Sequence, residues 1–237
     1  MIETLLLLPG LLCDARLWRQ QIEGLAGRAA CVVADVTQDD TVEAMAARAL
    51  AGLPDRFSVA GLSMGGYVAF ALLRAVPDRV SRLALFDTSA RPDTPDQARQ
   101  RRGLMDLARR GRFRGVTPRL LPRLLHPANL ANADLAGMVM AMAGAVGQAG
   151  FLRQQSAILG RPDSRPDLPG IAVPTLIAVG SDDALTPPDH AAEMAAGIPG
   201  AQLQIIAGCG HLPPLEEPAR VTNLLSEWLE RPAGGAR

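Results

Sequence analysis

Lysine is absent from this chain, and all 24 of its basic side chains are arginines. They are balanced by 24 acidic residues, so no net charge draws the protein to nucleic acid or to an anionic membrane. Aromatic residues make up only 3% of the 237 positions, so the core must be built from aliphatic side chains. These features predict a globular protein without a nucleic-acid partner.

Cysteine is also scarce. Cys13, Cys31 and Cys209 are odd in number and scattered, so neither a disulfide framework nor a metal site is expected. No apolar run approaches the roughly 20 residues of a membrane helix, and the acidic start over residues 1–4 does not fit a signal peptide. We therefore expect a cytoplasmic protein with no membrane partner, and the sequence leaves its oligomeric state open.

Apolar runs that end at turn residues recur along the chain and alternate with helical stretches. They predict strands at 4–8, 31–34, 57–60, 82–86, 174–179 and 202–206, and helices that include 42–50, 67–74, 135–146, 189–196 and 218–229. This alternation is typical of an α/β fold with a mostly parallel sheet covered by helices on both faces.

The alternation is interrupted in the middle of the chain. Residues 91–169 contain eight prolines and no convincing strand. We expect this segment to be a helical cap inserted into an α/β core made of residues 1–90 and 170–237. A cap at the carboxyl ends of the strands would cover the edge where ligands bind in open α/β sheets.

A G-x-S-x-G motif with Ser63 at its centre lies between a predicted strand and a predicted helix. On such a turn the serine hydroxyl points out of the sheet as a nucleophile. Strand and helix pass close together there, so Gly61 and Gly65 meet the need for positions without side chains. The alternative is a glycine-rich turn that carries a serine by chance.

A serine nucleophile needs a base, and the chain has only three histidines. His211 follows the last predicted strand on a glycine-flanked loop, which favours a role as the base. The alternative is that it is a surface-loop histidine without a catalytic role. His190, in a predicted helix, and His126, in the proline-rich segment, are expected to be structural or solvated.

The base in turn needs an acid that orients it. Asp182 and Asp183 both follow the strand that ends at residue 179. Either would give the chain order serine, aspartate, histidine that α/β-hydrolases use. The other aspartate is expected to have a turn or capping role.

These motifs resemble the α/β-hydrolase superfamily, in its compact esterase, lactonase and cofactor-free haloperoxidase-like branch, over nearly the whole chain. Residues 180–187 match the pattern G-x-x-D-x-x-T-P, which selects Asp183 as the acid. The histidine loop matches at Gly210 and His211, with Glu216 and Pro218 downstream. Residues 9–11 resemble the oxyanion loop.

The resemblance implies a catalytic triad of Ser63, His211 and Asp183, and an oxyanion hole made by the backbone N–H groups of Met64 and Leu11. It implies an α/β-hydrolase fold and an acyl-enzyme that forms without a metal or organic cofactor. We expect a serine hydrolase acting on a small-molecule ester, lactone or thioester. The alternatives are a lactonase, thioesterase, C–C hydrolase or lyase with the same triad, and a non-catalytic ligand-binding receptor.

Arginines are concentrated in the predicted cap. Residues 99–123 contain nine of them and one acid, Asp106. The arginines are at positions 99, 101, 102, 109, 110, 112, 114, 119 and 123. They form either a solvated helix face or an electropositive surface that steers substrates bearing a carboxylate or phosphate.

Overall fold

The computed structural model describes residues 2–233. In this part of the chain, six strands form one sheet, and every pair of neighbouring strands is parallel. The strands are β1 (Glu3–Leu8), β2 (Ala29–Val33), β3 (Phe57–Leu62), β4 (Val80–Phe86), β5 (Thr175–Gly180) and β6 (Gln202–Ile206), in the order β2-β1-β3-β4-β5-β6. The predicted strands are therefore present, with ends shifted by at most two residues.

Helices connect the strands. They are α1 (Arg19–Gly24), α2 (Val42–Ala49), α3 (Met64–Ala75), α4 (Pro95–Leu107), α5 (Ala133–Gly160), α6 (Pro188–Gly197), α7 (Pro213–Glu216) and α8 (Pro218–Leu229). Thr41 caps the N-terminus of α2, since its hydroxyl accepts a hydrogen bond from the N–H of Ala44 at 3.1 Å. A threonine at this position satisfies an N–H that the helix itself cannot bond.

Both faces of the sheet are buried, which confirms the predicted α/β architecture. Along β1, Leu6 and Leu8 face a cluster with α2, α3 and α6, whereas Leu5 and Leu7 face a cluster with α8. This alternation follows from the two-residue period of a strand. It explains why the central strands read as continuous apolar runs.

In the described chain, no strand interrupts the helices and irregular stretches between β4 and β5. The division into a core and a cap at residues 91–169 remains a prediction. The ends of the predicted core, residues 1 and 234–237, lie outside the described residues.

Helix α5 is longer than the sequence predicted. It extends from Ala133 to Gly160, although the apolar pattern predicted only residues 135–146. An 18-residue window within it has a mean hydropathy of 1.6, so by length and composition alone the helix is long and apolar enough to cross a membrane. A window average tolerates isolated polar residues that break an apolar run. However, the chain departs from helical geometry at Gly147, and Met142 and Ala143 are fully buried in the protein.

Candidate active site

Ser63 lies at the junction of β3 and α3 with a φ of 54°. A positive φ is strained for a residue with a side chain, and such strain is concentrated at functional sites. The backbone is held on both sides: the N–H of Ser63 donates to the carbonyl of Phe86 at 2.9 Å, and its carbonyl accepts from the hydroxyl of Thr88 at 2.7 Å. The serine is thereby fixed at the carboxyl end of a central strand.

The glycines around Ser63 allow strand and helix to come this close. A Cβ at Gly61 would lie 2.4 Å from the carbonyl oxygen of Gly65, and one at Gly65 would lie 2.1 Å from that of Leu8. Both distances are far below van der Waals contact, so neither position accepts a side chain.

His211 connects the serine to an aspartate. Its Nε2 lies 2.9 Å from the Oγ of Ser63, and its Nδ1 lies 2.8 Å from the Oδ2 of Asp183. The ring is buried, and the backbone N–H of His211 donates to the carbonyl of Leu124 at 2.9 Å. The three residues singled out in the sequence thus lie in one continuous chain of hydrogen bonds.

Asp183 is itself held by the loop that carries it. Its Oδ1 accepts from the N–H groups of Leu185 at 2.8 Å and Thr186 at 3.2 Å, and its Oδ2 accepts from the Thr186 hydroxyl at 2.7 Å. Burial works to raise the pKa of Asp183, but the charge of His211 and these hydrogen bonds outweigh it and lower that pKa. Asp182, by contrast, is exposed, and its Oδ2 lies 3.7 Å from His126.

Asp87, which the sequence analysis did not single out, lies beside this chain of hydrogen bonds. It follows β4 with a φ of 44° and is buried, and its Oδ1 accepts from the N–H of Gly180 at 2.9 Å. Possible ligand atoms of Asp87, Asp183 and His211 all lie within 4.8 Å of one another, and three such ligands are enough to hold a metal ion. Both ring nitrogens of His211, however, already contact protein atoms.

The proposed oxyanion donors lie next to Ser63. Met64 follows it directly, and a Cβ on Gly10 would lie 3.4 Å from the Cβ of Ser63, so the loop that carries Leu11 runs past the serine. Apart from regular helix and strand bonds, nothing in residues 2–233 accepts a hydrogen bond from the N–H of Leu11 or Met64.

Gln154, in α5, holds this loop through a hydrogen bond. Leu12 has a φ of 60°, and its N–H donates to the Oε1 of Gln154 at 3.0 Å. Gln154 is fully buried, and its Nε2 donates to the carbonyl of Val36 at 3.3 Å. The sequence analysis missed this residue, although a glutamine within an apolar helical stretch is a signal that it has a buried partner.

Glu216 holds the loop of His211. Its Oε1 accepts from the N–H of Gly210 at 2.9 Å and of Leu212 at 3.3 Å. Its Oε2 accepts from the N–H of His126 at 2.7 Å and from the Nδ2 of Asn129 at 2.9 Å. One carboxylate thus joins the histidine loop to the segment that follows α4.

A cavity of about 480 Å³ opens above Ser63. Its size is typical of a small-molecule site. His190 lines it, and burial together with the charge of Arg91 lowers the pKa of this histidine. Cys13 also lines it, but burial and the charge of Asp14 raise the pKa of its thiol to about 12, so it is not a ready nucleophile.

Comparison with known proteins agrees with this geometry. The model of the alpha/beta hydrolase family matches residues 5–224. A pimeloyl-(acyl-carrier protein) methyl ester esterase from Aromatoleum aromaticum is 31% identical over 204 residues, which cover 79% of each chain. A 2-hydroxy-6-oxononadienedioate/2-hydroxy-6-oxononatrienedioate hydrolase from Paraburkholderia xenovorans is 28% identical over 209 residues, covering 82% of this chain and 71% of the relative.

Solved structures agree as well. A thermophilic esterase from Thermogutta terrifontis with malate bound is 34% identical and has a TM-score of 0.87, with 97% of this chain and 91% of that chain covered. These comparisons confirm the resemblance that the motifs indicated.

Proposed function

Because the chain belongs to the alpha/beta hydrolase family, we propose that it is a serine hydrolase that cleaves a small carboxylic ester through an acyl-enzyme. The observation that carries this proposal is the position of His211 between Ser63 and Asp183, at 2.9 Å and 2.8 Å. A serine nucleophile, a base and an orienting acid need this arrangement.

In the proposed acylation step, the Oγ of Ser63 attacks the ester carbonyl carbon while the Nε2 of His211 takes the hydroxyl proton. The negative oxygen that develops accepts hydrogen bonds from the N–H groups of Leu11 and Met64. When the carbon–oxygen bond to the alcohol breaks, His211 returns the proton to the departing alcohol. The acyl group stays on Ser63.

In the proposed deacylation step, water takes the place of the alcohol. His211 removes a proton from the water as the water attacks the acyl carbonyl. The bond between the acyl carbon and the Oγ of Ser63 then breaks, His211 returns the proton to Ser63, and the carboxylic acid leaves. Asp183 holds the Nδ1–H of His211 and stabilises the imidazolium in both steps. The lowered pKa of Asp183 supports this role, because it keeps the carboxylate charged at neutral pH.

The relatives support an ester carbonyl as the reacting group. The Aromatoleum relative is named for a methyl ester, and the Thermogutta structure is that of an esterase. The proposed cap, residues 91–169, contributes much of the cavity lining and would select the substrate. The proposal requires no metal or organic cofactor.

A second candidate keeps the same three residues and changes the bond that is cleaved. The Paraburkholderia relative is a hydrolase named for a nonadienedioate substrate. On this alternative, Ser63 and His211 act on a carbonyl beside a carbon–carbon bond or in a lactone or thioester.

The test is hydrolysis of p-nitrophenyl esters from acetate to octanoate by the native protein and by Ser63→Ala. We expect turnover to fall by about 10⁴-fold or more in the variant, while the circular dichroism spectrum is unchanged. Ser156→Ala is the control, since Ser156 lies in α5 and its hydroxyl forms no hydrogen bond within residues 2–233. Retained turnover in Ser63→Ala would refute the proposal.

A further inference from the structure

The cavity above Ser63 has an excess of positive side chains. Six arginines and one carboxylate line it: Arg91, Arg101, Arg112, Arg114, Arg123, Arg161 and Asp93. The protein as a whole has no net charge, so this excess is local to the cavity.

Three of the six arginines form ion pairs with acids. Asp93 forms ion pairs with Arg101 at 2.7 Å and Arg161 at 2.9 Å. Arg91 pairs with Glu193 at 2.8 Å. These pairs connect separate elements around the cavity and give three of the six arginines a structural role.

The other three arginines have no such partner. Within residues 2–233, no acid forms an ion pair with Arg112, Arg114 or Arg123, and no acceptor bonds their guanidinium groups. All three side chains are exposed at the cavity. Their positive charge is therefore available to a ligand.

The wall that carries them is fixed to the catalytic residues. Phe113, between two of the arginines, packs on Phe151 of α5 with ring centroids 5.2 Å apart. Leu124, next to Arg123, accepts the hydrogen bond from the N–H of His211 at 2.9 Å. The backbone segments that carry the three arginines are thus tied to α5 and to the loop of His211.

The rest of the lining is largely apolar. It includes Leu11, Leu62, Leu107, Val116, Val139 and Phe151. A ligand that fills the cavity would place an apolar chain against these residues and a polar group at the arginines.

We propose that Arg112, Arg114 and Arg123 form a subsite for an anionic group at the far end of the substrate. The preferred substrates would be esters of an apolar chain that ends in a carboxylate or a phosphate. Guanidinium groups bind both anions through paired N–H donors. This inference rests on the proposed serine hydrolase function and names its class of substrate.

The test compares monomethyl esters of dicarboxylic acids, from succinate to suberate, with neutral methyl esters of the same chain length. A third series carries a terminal phosphate in place of the carboxylate and shows which anion the subsite prefers. The variant is R112Q/R114Q/R123Q. Its matched control is R102Q/R110Q/R119Q, which removes the same charge from the same segment at arginines that do not line the cavity.

We expect the native protein to prefer one of the anionic series. The subsite variant should lose about tenfold or more of kcat/KM for that series, mainly through KM, and less than about twofold for neutral esters. The control variant should change less than about twofold on either. An equal loss of kcat/KM for the anionic esters in both variants would show long-range attraction only and would overturn the subsite. A native protein with the same kcat/KM for anionic and neutral esters would overturn it as well.

A binding measurement separates this inference from the proposed function. Monomethyl adipate is titrated calorimetrically into Ser63→Ala in the native, subsite and control backgrounds. Weaker binding only in the subsite background supports the subsite even where no ester is hydrolysed. Equal binding in all three overturns it, while hydrolysis of neutral esters that depends on Ser63 would leave the serine hydrolase function intact.

Discussion

Asp87 and Asp183 are two buried carboxyl groups with oxygen atoms within 4.8 Å of each other, and their pKa values are shifted in opposite directions. Burial and then the charge of Asp183 raise the pKa of Asp87 well above its usual value. The Oδ2 of Asp87 has no donor among the described residues. A proton on this oxygen resolves both facts, because it removes a buried charge and donates to Asp183.

Asparagine at position 87 is expected to replace the protonated acid with little loss. Its amide can donate to Asp183 while its oxygen accepts from the N–H of Gly180, so Asp87→Asn should keep kcat/KM for an ester within about threefold of native. The same change at Asp183 removes the charge that stabilises the histidine and should cost about 10³–10⁴-fold in kcat. Steady-state kinetics of the two variants decide this, and a large loss in Asp87→Asn would mean that a charged Asp87 is required.

As pH rises, the free energy of unfolding of the native protein should decrease relative to that of Asp87→Asn. The pKa of Asp87 is higher in the folded state than the unfolded value of about 3.9, so the folded protein holds a proton that the unfolded chain releases. The stabilisation from that proton is present below the unfolded pKa and is lost as pH rises towards the folded pKa, by up to about 1.4 kcal/mol per unit. Urea denaturation of both proteins at about pH 5 and pH 7 measures the difference, and a constant difference would contradict the prediction.

Gln154→Met tests whether the loop beside Ser63 needs its buried support. The change leaves the N–H of Leu12 and the carbonyl of Val36 without partners, at about 1–3 kcal/mol each. Once released, the loop that carries Leu11 should no longer hold its N–H in place, and kcat should fall by about 10–100-fold while KM changes little. Gln148→Met, on an exposed site of the same helix, is the control and should change neither stability nor kcat measurably.

The sequence predicted what is encoded locally. The strands next to the site and the three motifs around Ser63, Asp183 and His211 each lie within a few consecutive residues, where strand period and glycine placement can be read directly. The buried central strands were recognisable because both of their faces must be apolar.

Contacts between distant parts of the chain could not be predicted in this way. Leu12 and Gln154 are 142 positions apart, and His126 and Glu216 are 90 apart, so no local pattern joins them. Asp87 carries no local signal, because the groups that shift its pKa are distant in the sequence. The number of arginines in residues 99–123 was visible, but which of them lack an acid depends on the fold.

Glu216→Gln is expected to loosen the histidine loop. The carboxylate accepts from four N–H donors, two on each oxygen, and an amide places an N–H against one pair of them. We expect kcat to fall about tenfold or more through a less well-placed His211, with a loss of about 1–3 kcal/mol in stability. Glu227→Gln, an exposed change of the same kind in α8, should leave kcat and stability unchanged. Native kcat in Glu216→Gln would show that the loop keeps its position without this carboxylate.

Two glycine-to-alanine substitutions should have opposite effects on the free energy of unfolding. At Gly65 a Cβ would lie 2.1 Å from the carbonyl oxygen of Leu8, and this backbone cannot move without displacing β1 from the sheet. Gly65→Ala should therefore lose about 2–4 kcal/mol, together with ester hydrolysis. At Gly144, in α5, no described atom beyond the helix's own nearby backbone lies within 4 Å of the added carbon, so alanine should stabilise the helix by about 0.5–1 kcal/mol. Urea denaturation of both variants measures the two changes in the free energy of unfolding. A stable, active Gly65→Ala would mean that the turn at Ser63 tolerates a wider separation of strand and helix than the structure shows.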